Sequence, residues 1–294
     1  MDTITHTLFG LTLYGSVDKT GMTKTERRAL LFTTVAGSQI PDIDVISSWW
    51  DTAGRYQMWH RGLTHSVFLV PVWAALLAGL VRLFAKVRGW SWFVIALIAV
   101  FIHDTSDLFN AWGTGYFEPF STMRITFGTI PIVDLVFWAL MLGCYLLVRF
   151  RRGARVPHKV YRTVWLLMGL YVAAQSAQGY SLYQDASARY EQVALSADFV
   201  PGVFTVIGKQ GNTVDLLRGS VFTGVKPLAT LTSAEPEQAD LDRLFEQNPK
   251  ARTLYEWSPF VVMVNDEQRI GLYDPRFYRN GQSFLFEYME KKRL

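Results

Sequence analysis

Residues 90–108 read WSWFVIALIAVFIHDTSDL, and this stretch decides both the expected fold and the expected place of the chemistry. Up to Ile102 it is apolar or aromatic apart from Ser91. A hydrocarbon core of ~30 Å is crossed by about 20 predominantly apolar helical residues, so the stretch is long enough to span. Its end carries His103, Asp104 and Asp107. Ionisable residues beside a span are costly and tend to mark sites.

Working outward, three further stretches are as long and as apolar: residues 63–84, 125–148 and 163–184. The last has no charged residue and 125–148 has only Asp134. Two shorter apolar segments, 4–17 and 29–40, precede them and cross tilted or pack as partial spans. Hydrophobic residues make up 50% of the chain, which excludes disorder. One cysteine, Cys144, excludes a disulfide scaffold or a thiolate zinc site. Asp2, His6 and the lack of a basic leader speak against a secretory signal peptide. The expectation is a mainly α membrane protein: a bundle of four long transmembrane helices plus two short N-terminal helices over 1–185, then a soluble β-rich α+β domain over 186–294.

The net charge of +4 and pI near 9.1 would suit a nucleic-acid binder, but the basic residues are not gathered into a binding face. Of the 16 Lys and Arg in 1–185, 13 lie in three alternate loops, at 19–28, 82–88 and 149–162. By the positive-inside rule those loops are cytoplasmic. The opposite ends, holding most of the acidic residues, and the C-terminal domain are then extracytoplasmic, and nucleic acid is not expected as a partner.

Of the five histidines, His6, His60, His65 and His103 fall at segment ends on that same side, whereas His158 lies in a basic loop. Their neighbourhoods read MDTITH (1–6), PDID (41–44), HRGLTHS (60–66) and HDTSDLFN (103–110). Imidazole and carboxylate without thiolate suit zinc, manganese or iron. His103 and Asp107, four apart, project from one helix face and can share an ion. Asp42 and Asp44 point the same way if their segment is extended. A single His at a helix end is commonly just hydrogen-bonded, and a lone Pro-Asp turn closes on its own backbone. Convergence from four segments outweighs those readings.

The ordered set of motifs, completed by HDTSDLFNAWGT at 103–114, resembles the YdjM-like, LexA-regulated group of bacterial inner-membrane proteins regarded as metal-dependent hydrolases. More distantly it is similar to zinc-dependent phospholipase C proteins. The resemblance covers about residues 1–150 and implies a membrane-embedded, metal-dependent hydrolase of the inner membrane. His6, Asp42, His60, His65, His103 and Asp107 match the family's His/Asp motifs and are the expected ligands of one or two divalent ions, zinc foremost.

A water activated by the metal is the expected attacking group. Asp104 is the candidate general base. Asp44 is a further ligand or the partner that fixes a histidine tautomer, and Asp134 is expected as a supporting residue or a late ligand. Arg61 and Arg124, with Asn110, are the candidate substrate contacts, since guanidinium forks suit phosphate oxygens. A lipid or lipid-linked phosphoester is the expected substrate, and membrane lipids are the expected partners. Trp49, Trp50, Trp59 and Trp112 fit an interfacial belt. The competing expectations are a scaffold or regulator with a structural metal and, third, an ion-coupled transporter, for which only Asp134 lies near mid-membrane.

Beyond residue 186 the chain carries no histidine and no cysteine. Strands are expected at 202–207, 221–223, 253–257 and 260–264, the last forming a hairpin with 269–273. A helix is expected over 235–246. This domain's protein partner has no signature in the sequence.

Overall fold

A computed structural model describes residues 1–150, 157–279 and 281–291. The basic stretch at 151–156, part of the third expected cytoplasmic loop, lies outside the described residues. The chain divides into two compact units. The first comprises Met1–Ile43 and Arg61–Ala177, the second Asp44–His60 and Gln178–Leu294.

The first unit is helical. Helix α1 (Thr3–Ser16) starts at Asp2, whose carboxylate accepts from the amides of Ile4 and Thr5. Helix α2 (Lys24–Gly37) starts in a capping box formed by Thr23 and Glu26. The 3-10 helix that follows (Ile40–Trp49) runs across the unit boundary and the short helix α3 (Tyr56–Trp59) belongs to the second unit, whereas α4 (Val70–Phe84), α5 (Trp90–Asp107) and α6 (Leu135–Phe150) belong to the first. The long α7 (Pro157–Ser187) carries the chain from one unit into the other. Val70, Ala74 and Leu77 of α4 pack on Ala96 and Val100 of α5. On the other side, Phe9 of α1, Phe137 and Met141 of α6, and Val164 and Met168 of α7 form a second cluster.

The expected bundle of four long transmembrane helices is not what these helices form. The chain is about 52% helix and 18% strand, and among the described residues no single helix is long and apolar enough to cross a membrane. Each expected span fails for a local reason. Residues 63–84 break: Leu63–His65 is a 3-10 turn, Ser66 is extended, and the helix proper has only 15 residues, about 22 Å at 1.5 Å per residue. The stretch at 90–108 does form an 18-residue helix, but its last turn contains His103, Asp104 and Asp107. Residues 125–134 are not helical, with an isolated bridge from Thr114 to Ile125, so α6 has 16 residues. Only α7 has the length, at 31 residues, and Gln175, Ser176, Gln178 and Gln184 dilute its apolar content. The multi-pass topology, and the sides of the membrane read from it, are withdrawn with the spans.

In the second unit, four antiparallel strands run in the order β1 (Gln192–Ala197), β2 (Phe204–Gln210), β3 (Thr213–Ser220), β4 (Gly224–Thr232). Helices α8 (Gln238–Gln247) and α9 (Pro249–Trp257) follow. A second sheet joins β5 (Val262–Asn265), β6 (Arg269–Tyr273) and, after the two-residue pair β7 (Tyr278–Arg279) and β8 (Gln282–Ser283), β9 (Phe286–Glu290). The hairpin of 260–264 with 269–273 is present as β5 and β6. Residues 253–257, expected as a strand, are helix α9. The Asn248 side chain accepts from the Lys250 amide, Pro249 occupies the first turn, and those start signals outweigh the β-favouring Thr, Leu, Tyr and Trp. Residues 221–223 form the turn between β3 and β4.

Candidate metal centre

The centre lies in the first unit, where the α2 end, the following 3-10 helix, the turn at Leu63–His65 and the last turn of α5 meet. Packing brings them together through small residues. A Cβ on Gly37 would stand 2.7 Å from the Ala99 Cβ of α5, so only glycine lets α2 come this close. The approach puts the Ser38 carbonyl 2.7 Å from His103 Nδ1. A carbonyl only accepts, so Nδ1 carries the proton and Nε2 of the neutral ring presents a lone pair.

That lone pair faces nitrogen and oxygen atoms of three further side chains. His103 Nε2 is 3.1 Å from His65 Nε2 and 3.6 Å from Asp42 Oδ1. His65 Nε2 is 3.3 Å from Asp42 Oδ1 and 3.6 Å from Asp107 Oδ2, and His103 Nε2 is 3.9 Å from Asp107 Oδ2. One donor atom from each of Asp42, His65, His103 and Asp107 falls within 4.8 Å of the others. For bonds of about 2.0–2.1 Å, the edge of a coordination tetrahedron is about 3.4 Å. The spacing is thus that of ligands around one first-row ion, and the residues fit a metal.

His6 stacks on His103 with centroids 3.7 Å apart, and its Nε2 is 3.4 Å from Asp107 Oδ1. Neither of its nitrogens makes a hydrogen bond among the described residues. Burial holds its pKa well below the ordinary imidazole value. Desolvation pushes Asp42 up, but the adjacent His103 and His65 imidazoles outweigh it and hold the carboxyl well below the usual range. Asp104 is fully buried, and neither carboxyl oxygen has a hydrogen-bond partner among the described residues. Burial, then the Asp42 charge, pushes its pKa well above the carboxylate range.

Arg61 closes the back of the centre. Its Nε lies 3.1 Å from Asp107 Oδ2, one terminal nitrogen donates to Asn110 Oδ1 at 2.7 Å, and the other to the Met1 carbonyl at 2.9 Å. The Met1 amine donates to Asp107. Asn110 Nδ2 donates to the Asp107 carbonyl at 2.9 Å. Arg61 sits at φ 60°, a backbone state that persists only where the surroundings over-determine it, and its side-chain contacts do so here. The expected phosphate contacts Arg61 and Asn110 are therefore engaged in holding Asp107.

The other expected residues make these contacts. His60 Nδ1 pairs with Asp44 Oδ1 at 3.0 Å, and both belong to the second unit. Arg124 donates to the Gly113 carbonyl at 2.9 Å and steadies the 113–125 loop. Asp134 accepts from the amides of Val136 and Phe137 at the start of α6 and from the Tyr171 hydroxyl. The Met1 amine and the Ser38 carbonyl had no signal in the sequence, because main-chain groups carry no residue identity.

Fold and site together define a helical unit with a buried His/Asp cluster that can hold a metal ion. Residues 1–182 match the family model described as YdjM inner membrane protein, and the chain belongs to that family. Over 141 residues it is 36% identical to the uncharacterized protein YfhP of Bacillus subtilis (strain 168), a match covering 46% of this chain and 42% of that relative. The chain thus spans about two fifths of the length of the curated relative it matches. No solved structure matches the chain.

Proposed function

We propose that this protein is a metal-dependent hydrolase acting on a phosphoester of a lipid or lipid-linked molecule at the inner membrane. The observation that carries the reading is the convergence of His65 Nε2, His103 Nε2, Asp42 Oδ1 and Asp107 Oδ2 at ligand spacing. Two imidazole nitrogens and two carboxylate oxygens favour zinc, with manganese and iron as the competing occupants. When bound, such a cation supplies Lewis acidity: it makes water more acidic and offsets charge on a phosphoryl oxygen.

The chain's own residues hold and orient. Ser38 fixes the His103 tautomer, and Arg61 and Asn110 fix Asp107. The Asp42 side chain is 18% exposed while the other three ligands are fully buried, so solvent and substrate approach past Asp42. The Asp104 carboxyl, buried and without a hydrogen-bond partner among the described residues, is the group proposed to move the proton. Family membership and the exposed Trp49 and Trp50 favour a substrate met at a lipid surface.

A second reading, a scaffold or regulator with a structural metal, is favoured by the complete burial of His65, His103 and Asp107. A panel of phosphodiesters and lipid phosphates offered to metal-replete and chelator-stripped protein separates the two. Hydrolysis should require metal and fall about 10²- to 10⁴-fold in Asp104→Asn. Release of no product by metal-replete protein would leave the scaffold reading in its place.

A further inference from the structure

The first unit also contains an apolar cavity of about 240 Å³, lined by α1, α5, α6 and α7 and partly open at its mouth. Phe9, Phe109, Phe137, Trp165 and Met168 contribute to its walls. Protein interiors leave few voids larger than a water molecule, and a dry hydrocarbon cavity of about 150 Å³ already admits benzene. The two hydroxyls in the wall are engaged elsewhere: Ser106 donates to the His103 carbonyl, and Thr105 bonds the Tyr116 hydroxyl. The cavity therefore presents mainly hydrocarbon; the Trp165 indole N–H of its wall has no hydrogen-bond partner among the described residues.

Its walls adjoin the candidate metal centre. Met1 lines the cavity while its amine donates to Asp107, and Phe9 lines it while setting its ring edge-on to His6 at 6.1 Å. Gly169 of α7 also lines it, and a Cβ built there would meet nothing within 4 Å. This position faces open space on the helix.

We propose that the cavity binds one alkyl chain of the substrate, with the anionic head of the same molecule at the His/Asp cluster. The proposal rests on the phosphoester reading above and narrows it to amphiphiles with a single chain in this slot. Gly169, by lacking a side chain, sets how much chain is accommodated, and Phe9 and Met1 join the slot to the cluster.

Titration calorimetry on the full-length, metal-loaded protein tests this, using n-alkyl phosphates from butyl to decyl, headless 1-octanol, and inorganic phosphate. Wild type should bind about three- to fourfold tighter per added methylene until the cavity is full. Gly169→Leu, which fills the slot, should weaken octyl phosphate and octanol at least 10-fold and leave inorganic phosphate unchanged. Gly169→Ala should stay within about threefold of wild type. Affinity independent of chain length in wild type would overturn the proposal without relying on any variant, as would a folded Gly169→Leu protein that binds octyl phosphate like wild type. Octanol binding that is lost in Gly169→Leu supports the slot whether or not a phosphoester is cleaved. Hydrolysis with no chain-length dependence overturns the slot and leaves the hydrolase reading standing.

Discussion

Each unit buries an arginine–aspartate pair, and the two pairs are completed in different ways. In the second unit Arg276 Nε lies 3.1 and 3.0 Å from the two oxygens of Asp274, and a terminal nitrogen lies 2.6 Å away. The Ser258 hydroxyl and the Arg276 amide donate to the same carboxylate, and the guanidinium lies over the Trp257 ring. In the first unit Arg61 Nε lies 3.1 Å from Asp107 Oδ2, and Asp107 shares its surroundings with His6, His65 and His103. The Asp274 carboxylate has its donors supplied by the chain. Asp107 also takes donors from the chain, the Met1 amine and Arg61, but the Nε2 atoms of His65 and His103 lie 3.6 and 3.9 Å from its Oδ2 and converge there with Asp42 Oδ1. A buried ion pair by itself is weak evidence; the convergence of ligand atoms from Asp42, His65 and His103 beside Asp107 is what distinguishes the candidate metal centre from a structural pair.

The largest effect that would break this comparison is in the second unit. Asp274→Ala leaves Arg276 buried beside no carboxylate and should lower stability by about 3–5 kcal/mol in a denaturant titration. Metal content should be unchanged. Loss of metal from this variant would mean that the two pairs are not the independent features described here.

A smaller effect concerns the orientation of His103. In Gly37→Ala the new Cβ would meet the Ala99 Cβ at 2.7 Å, so α2 and α5 must part and the Ser38 carbonyl withdraws from His103. Losing such an orienting partner typically weakens metal binding 10- to 100-fold, to be read by chelator competition. Wild-type affinity in Gly37→Ala would show that the carbonyl does not set the tautomer.

The smallest is a pH dependence. His6 is held well below its ordinary value of 6.5, so the folded chain binds that proton less readily than the unfolded chain. Above about pH 6.5 the ring is neutral in both states and stability does not depend on it. As pH falls through 6.5 the unfolded state protonates first and stability declines. Between pH 7.5 and 5.5 the decline is about 1.4 kcal/mol for one such group. In chelator-treated protein, His6→Asn should remove that share of the slope in urea titrations, and an unaltered slope would place the charge change elsewhere.

Much of the centre was legible before the fold was known. His103 and Asp107 are four residues apart on a helix, and the motifs at 41–44 and 60–66 supply Asp42 and His65. His60 and Asp44 stand in the same motifs, yet the structure sets them against each other in the second unit, a division that spacing along the chain does not record. The expected spans failed because average hydropathy is blind to backbone breaks. The extended Ser66 and the Pro71 that opens α4 interrupt 63–84 without changing its apolar character. Exposed leucines and aromatics, such as Leu83, Phe84 and Phe150, are compatible with lipid contact as well as with a span, so composition alone did not separate the two. The helix at 249–257 was misread because β propensity reports mainly on packing context, whereas the Asn-Pro start was the stronger local signal.

The account stands or falls on whether Asp42, His65, His103 and Asp107 hold an ion. Elemental analysis of purified wild type beside a His65→Ala/Asp107→Ala double variant, each checked for folding, measures it directly. The account predicts a bound divalent metal, with zinc foremost, at one ion per chain at this cluster, and its loss from the double variant. Equal metal content in the two proteins, or a wild type that takes up no divalent ion when supplied with one, would contradict it.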